Sequence, residues 1–208
     1  MGRRGAGVFI SFEGIDGSGK STQARLLAEA LGPDTVLTRE PGGSAGAEEI
    51  RRLLVEGAPA RWSPETEILL FTAARRDHLE KTIGPALAAG RIVITDRFAD
   101  STRVYQGAAR AARRPLVDRL HALMIGIEPD LTFLIDMDPA SALERGLARR
   151  SGEDRFEDLG LDFQKTLRAG FLALAQAQPA RITVIDGARA AHVVANDILA
   201  RYRAWCTA

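Results

Sequence analysis

The sequence predicts an α/β fold, a five-stranded parallel sheet flanked by helices, and three observations carry that prediction. A Gly-x-x-x-x-Gly-Lys-Ser motif, Gly14 to Ser21, lies between an apolar run, Val8 to Phe12, and a segment of helical spacing, Gln23 to Leu31; this is the strand, loop and helix order of a phosphate-binding P-loop. Further short apolar runs alternate with helical patterns, as in sheets whose parallel strands are joined by right-handed crossovers. One of them, Arg91 to Asp96, is almost continuously apolar before it ends on an acid, as expected of a strand buried on both faces whose carboxyl end meets the ligand edge.

A chain of 208 residues is long for one core and short for two, so one domain spanning 1–208 with a helical elaboration is expected. The formal net charge of +1 argues against a nucleic-acid binder held by its overall field, although the excess of Arg over Lys favours local phosphate sites. Cys206 is the only cysteine, which excludes an internal disulfide and favours a reducing, cytoplasmic setting. Arg3 and Arg4 precede an apolar run that Glu13 and Asp16 interrupt too soon for a signal peptide. No stretch has the length of a membrane span.

Taken in order, Val8 to Phe12 is the first strand and the helix to Leu31 ends at the turn Gly32-Pro33-Asp34. Thr35 to Thr38 reads as a second strand, followed by Arg39-Glu40-Pro41-Gly42-Gly43-Ser44, whose turn chemistry alone describes an exposed loop. Helical patterns at Ala47–Val55 and Pro64–Ala88, broken at Gly57-Ala58-Pro59 and bent near Gly84-Pro85, form an insertion between strands. After the strand ending at Asp96, residues up to Arg114 mix hydroxyls, Tyr105, Gln106 and arginines without a clear period. Pro115–Ile125 is helical, Leu131–Asp136 is a fourth strand, and Ser141–Arg150 is a helix with Ser141 near its start. Ser151 to Arg155 is densely charged, fitting either a solvated loop or a closing lid at about 145–158. Phe163–Ala177 is helical, Arg181–Gly187 is the fifth strand and its turn, and His192–Trp205 closes as an amphipathic helix.

The P-loop has a specific chemistry. Gly14, Gly17 and Gly19 permit positive φ and close backbone approach, so that N–H groups around Asp16, Ser18, Lys20 and Thr22 and the helix N-terminus converge on phosphate oxygens. Lys20 reaches the β- and γ-phosphates and the Ser21 hydroxyl is a Mg²⁺ ligand in such loops. Asp96, at the carboxyl edge beside the P-loop, is placed to organise Mg²⁺ and water. His78, His121 and His192 are scattered and read as structural.

Phe12-Glu13-Gly14 with the P-loop, Thr38-Arg39-Glu40-Pro41-Gly42-Gly43, Phe71-x-Ala73-x-Arg75-x-x-His78, and Asp96-Arg97 leading to Ser101-Thr102-x-x-Tyr105-Gln106-Gly107 together resemble thymidylate kinase. The resemblance runs from Val8 to about Ile198 and implies the P-loop nucleoside monophosphate kinase fold, with ATP, Mg²⁺ and dTMP as ligands and a homodimer built from helices. It implies an acceptor-binding region at about 39–88, in which Phe71 stacks on thymine and Arg75 donates to a base carbonyl. Ser101, Thr102 and Gln106 complete that site. Arg39 and Arg97 grip the monophosphate, Asp16 accepts from the sugar 3′-hydroxyl, and Tyr105 fills the space a 2′-hydroxyl needs.

With Gly17 where some relatives carry arginine, the resemblance implies a lid-type enzyme whose catalytic cation is Arg149, Arg150 or Arg155, with Arg145 and Arg189 near the adenine. Ser44 replaces a frequent Thr, and Arg103 stands where a small or neutral residue is expected, which puts the shape of the acceptor pocket in question. A kinase for another nucleoside monophosphate is the competing enzyme reading. A P-loop switch would carry an Asn-Lys-x-Asp segment, which the sequence lacks.

Overall fold

The computed structural model describes residues 7–57, 61–108, 113–149 and 160–207, with side chains through Gly107 and Gly146 in the second and third segments. Five strands, β1 Val8–Glu13, β2 Thr35–Arg39, β3 Ile92–Asp96, β4 Leu131–Asp136 and β5 Ile182–Asp186, form one sheet in the order β2-β3-β1-β4-β5. Every pairing is parallel. The expected five-stranded parallel sheet is therefore present, and its register places Asp96 opposite both Phe12 and Arg39. All carboxyl ends meet at one edge, where parallel sheets bind ligands.

Side-chain alternation divides β1 between two faces. Ile10 and Phe12 join Ile94, Phe133 and Ile185 in a core closed by α1, Lys20–Leu31, and α9, Ala191–Thr207, through Ala24, Leu27, Val194 and Ile198. Phe9, on the other side, packs with Val93, Phe98 and Ile83. Ser11 shares that side and is buried, its hydroxyl hydrogen-bonded to Thr132 across the sheet at 2.7 Å. Glu13 is the next residue in this alternation and is 1% exposed.

The insertion between β2 and β3 is helical, as expected: α2 Ala45–Val55, α3 Pro64–His78 and α4 Gly84–Ala88. The hydroxyl of Ser63 accepts from the Thr66 amide ahead of Pro64, a cap that fixes where α3 begins. The bend expected at Gly84-Pro85 is taken up one turn earlier. Leu79–Ile83 forms a wide π-turn, in which the Gly84 amide bonds to the carbonyl of Leu79. Pro85 has no amide to give and would crowd a regular preceding turn.

Two further differences from the sequence reading have local causes. After β4, the helix α7 spans Pro139–Arg149 and begins ahead of Ser141 because Asp138 accepts from the Ser141 amide at 3.0 Å and caps it. The segment after Asp96 is helical, α5 Ala99–Thr102 followed by a π-turn at Arg103–Ala108. It lacked a hydrophobic period because it is buried on all sides and much of what it buries is polar: Asp100, Ser101, Thr102, Arg103 and Gln106 are inside beside Ala99, Val104 and Tyr105. Helices α6, Arg114–Met124, and α8, Gly160–Ala177, complete the layers. Arg150, Arg155 and most of the expected lid lie outside the described residues.

Candidate active site

A cavity of about 360 Å³ opens at the carboxyl edge of the sheet beside the P-loop. Asp16, Lys20 and Ser21 form one wall; Asp96, Arg97, Ser101, Thr102, Tyr105 and Gln106 form another; Arg39 comes from the end of β2, and Phe71 and Arg75 from the helical insertion. The structure thus brings together every residue expected at the acceptor site. Glu40, Pro41, Arg51 and Val55 also line it, and sequence reasoning had assigned none of them. Arg51 is half-buried on α2 in a run of charges with Glu48, Glu49 and Arg52, so nothing in its sequence surroundings marked it.

At the mouth of the P-loop, Gly19 stands at φ 95 before α1 and Gly17 at φ 80, conformations that favour glycine. A β-carbon on Gly17 would lie 1.8 Å from the carbonyl oxygen of Ala142 in α7. Lys20 is buried and donates to the Ile15 carbonyl and to Asp16 Oδ1, both at 3.3 Å. Burial and the neighbouring Arg97 push its ammonium below the usual lysine range, against the pull of Asp16 and Asp96.

Arg97 is the centre of the wall that follows β3. Its backbone has φ 70, an uncommon state for a side-chain-bearing residue. Its amide donates to the Phe12 carbonyl at 2.9 Å and its own carbonyl accepts from Thr95. The guanidinium donates through Nη2 to Asp16 at 2.5 Å and Tyr105 at 3.1 Å, and through Nη1 to Ser101 at 2.7 Å. The Tyr105 hydroxyl in turn donates to Asp16 Oδ2 at 2.8 Å, and its ring lies against the Arg97 guanidinium. Burial would raise Asp16, but the charge of Arg97, then Lys20, and the hydrogen bonds from Tyr105 and Arg97 hold it well below the usual carboxylate range. Burial pushes the Tyr105 hydroxyl well above the usual tyrosine range, so it remains a donor.

The opposite wall is held by a second buried group. Glu40 Oε2 accepts from Arg75 Nε at 2.7 Å, and Glu40 Oε1 lies 3.2 Å from His78 Nδ1. His78 Nε2 is hydrogen-bonded to Thr38 at 2.7 Å. Arg75 Nη2 donates to Thr102 at 2.9 Å. Ser44 donates to Asp77 at 2.7 Å and Thr82 donates to the Gly43 carbonyl at 2.7 Å. The loop 39–44, read from turn chemistry as exposed, therefore has a buried acid at its centre. The signal available was the pair Arg75 and His78 one helical turn apart, two side chains whose guanidinium and ring nitrogens suit a carboxylate. Phe71 is half-buried on the same face of α3, and the buried Gln106 amide nitrogen has no hydrogen-bond partner among the described residues.

Arg103 does not enter the cavity. It turns away and is 5% exposed, donating to Asp100 at 2.8 Å, Asp118 at 3.0 Å and both oxygens of Glu128. Arg181 closes on Asp100 from the other side at 2.8 Å. The charge that put the pocket's shape in question is consumed behind the wall. Arg39, 52% exposed at its side chain, is held by Glu48 at 3.1 Å at the cavity rim.

Asp96 Oδ1 is buried with no hydrogen-bond partner among the described residues, and the exposed Ser21 hydroxyl shares its cavity. An orphaned carboxylate oxygen beside a hydroxyl is a hard-oxygen donor set that suits Mg²⁺. No cluster of three His, Cys, Asp or Glu ligands occurs among the described residues. Arg145 on α7 and Arg189 after β5 lie outside the acceptor cavity. Arg145 contacts the Met137 sulfur, and Arg189 pairs with Asp197 at 2.8 Å. The turn carrying Arg189 abuts the P-loop, since a β-carbon on Gly187 would approach the Ser18 carbonyl to 3.2 Å. Arg149 ends α7.

A family model described as thymidylate kinase matches residues 12–198. The thymidylate kinase of Dinoroseobacter shibae is 73% identical over 197 residues, covering 93% of this chain and 95% of the relative. That of Ruegeria pomeroyi is 67% identical, covering 93% of each. A crystal structure of thymidylate kinase from Ehrlichia chaffeensis superposes with a TM-score of 0.77 at 37% identity, covering 95% of this chain and 99% of that one.

The Arg103 network generates a stability prediction. Arg103→Ala leaves Asp100 buried with Arg181 as its remaining cation. Asp118 and Glu128 are reached by water, so the loss should fall near the low end for a broken buried pair, about 3 kcal/mol. Urea unfolding of the two proteins measures it, and an unchanged midpoint would contradict the structural role given to Arg103.

Proposed function

The chain belongs to the thymidylate kinase family, and from that membership we propose how its cavity performs the reaction. The enzyme phosphorylates dTMP to dTDP with ATP as phosphate donor, a step of nucleotide biosynthesis. The observation that carries the assignment of roles is Arg97. It is a cation held at the junction of the P-loop and a cavity whose far wall bears Phe71, Arg75 and Gln106.

In this reading thymine lies against Phe71, with Arg75 and the Gln106 amide as donors to its edge and Thr102 fixing Arg75. Arg97 and Arg39 grip the monophosphate, joined by Arg51 from the same cavity. Asp16 accepts from Arg97, Lys20 and Tyr105. Two carboxylate oxygens offer about four acceptor directions, which leaves room for the sugar 3′-hydroxyl. The acceptor is already an anion, so positioning and charge neutralisation can perform the transfer without a strong base. Gly14 to Thr22 hold the donor phosphates and Lys20 neutralises charge developing between β and γ. Ser21 and Asp96 would hold Mg²⁺, which supplies further neutralisation of the donor phosphates when bound.

Acceptor choice is testable by ADP release with dTMP, dUMP, UMP, CMP and ribothymidine monophosphate, where dTMP should give the highest turnover efficiency. Tyr105→Ala should narrow the preference for deoxy over ribo acceptor by roughly tenfold, the scale of an unpaired buried hydroxyl. Tyr105→Phe should keep the preference while lowering efficiency with both, because it loses the hydroxyl that holds Asp16 and Arg97. An unchanged ratio in Tyr105→Ala would remove Tyr105 from sugar selection.

The collision a side chain at position 17 would make with Ala142 supports a lid-borne catalytic arginine. Replacing Arg149, Arg150 and Arg155 together by Ala should lower kcat by about a thousandfold, the scale of a lost transition-state arginine, and raise the KM for ATP far less. Loss confined to KM would make these residues nucleotide binders only.

The exposed apolar residues Leu69 on α3 and Leu116, Leu123 and Met124 on α6 support a homodimer. The two helices are tied by Arg113 to Glu65 and by Arg76 to the Met124 carbonyl. Sedimentation should show a dimer that Leu123→Asp converts to monomer, and a monomeric parent protein would overturn this arrangement. Among the described residues no helix is long and apolar enough to cross a membrane. The exposed free thiol of Cys206 fits a reducing cytoplasmic setting.

A further inference from the structure

We propose that Glu13 is a positioning residue for acceptor binding, acting through the Ser101 hydroxyl and the Phe98 amide to set the Arg97 guanidinium in place. It rests on the reading of Arg97 as the grip on the monophosphate. Glu13 is 1% exposed at the end of β1 and is not among the residues that line the cavity. Its Oε2 accepts from the Ser101 hydroxyl at 2.6 Å and its Oε1 from the Phe98 amide at 2.8 Å.

The direction of the relay follows from what each group can donate. An ionised carboxylate only accepts, so the single Ser101 proton points to Glu13 and the serine lone pairs are left for Arg97 Nη1 at 2.7 Å. The Phe98 amide belongs to the residue after Arg97, whose backbone stands at φ 70. Glu13 therefore restrains Arg97 twice, through the chain that follows its backbone and through the hydroxyl that meets its side chain. No other described residue holds both.

The charged groups around Glu13 are Asp100 on α5 and Arg97 itself. Asp100 is partly neutralised by Arg103 and Arg181. Burial first and Asp100 second push Glu13 up to about 7, opposed by Ser101, Arg97 and the Phe98 amide. An apolar residue of similar volume would avoid that cost to folding. The acid is thus placed against the interest of the core, at a point where its geometry reaches the site.

The test is a double-mutant cycle of Glu13→Gln and Ser101→Ala, with Arg97→Ala as reference, following KM for dTMP, KM for ATP and kcat at pH 8. Glutamine keeps the size but turns an N–H toward Ser101. Glu13→Gln should raise the KM for dTMP about tenfold, the worth of one good hydrogen bond, with the KM for ATP within about twofold. Because both residues act on one guanidinium, the losses should not add, and the double variant should be no worse than the poorer single variant. Additive losses, or equal changes in both KM values, overturn the proposal. If Arg97→Ala raises the KM for dTMP while Glu13→Gln leaves it unchanged, the positioning role fails and the grip stands. If Arg97→Ala leaves it unchanged, both fail. Should Glu13→Gln not fold, Glu13→Asp, which keeps the charge and withdraws it from Ser101, replaces it in the cycle under the same expectations.

Discussion

A buried guanidinium, that of Arg97, is the constraint to which the rest of the site answers. A cation inside a protein is tolerated only when its donors find acceptors. Here those acceptors are Asp16, Ser101, Tyr105 and the Gly14 carbonyl. They come from the P-loop on one side and from the segment after β3 on the other. The parallel register of β1 and β3 makes this possible, since it brings Phe12 level with Asp96 and lets both loops leave the sheet at one height. The left-handed turn at Arg97 then directs the side chain back across the gap.

The electrostatic balance around that cation is deliberate in a physical sense. Asp16 offsets Arg97 and Lys20 by direct contact with both, so neither cation is isolated in the interior. Yet Arg39 and Arg51 stand on the opposite side of the same cavity. In the function proposed above, an incoming phosphate meets converging guanidinium groups whose forks match its oxygens, after the internal pairs have already fixed their directions. Preorganisation of this kind reduces the reorganisation needed when the phosphoryl group moves.

Much of this was legible in the residues. The P-loop and all five strands announce themselves by spacing, because glycine turns and buried parallel strands leave sequence patterns that depend on a few neighbours; the set from Phe71 to Gln106 was legible only through the resemblance to a family. What escaped the pattern depends on distant partners. Glu40 looks like part of an exposed turn until Arg75 and His78 arrive from α3 to bury it. Arg103 looks like an intruder in the pocket until Asp118 and Glu128 draw it away. The helix at 99–108 hides because much of what it buries is polar, and periodicity of apolar residues cannot report a polar interior.

The ties between the loop 39–44 and α3 carry a consequence for how such a site can change over generations. Glu40 reaches Arg75 and His78, Ser44 reaches Asp77, and the Gly43 carbonyl takes the hydroxyl of Thr82 in the π-turn that follows α3. A β-carbon on Gly43 would come within 2.3 Å of the His78 ring. In the proposed function, the strip that meets the phosphate and the helix that meets the base therefore form one stiff jaw. A substitution that retunes base reading on α3 shifts the phosphate strip with it. Drift toward a new nucleobase is thus penalised twice, and the fidelity of the jaw is kept by its stiffness as well as by its contacts.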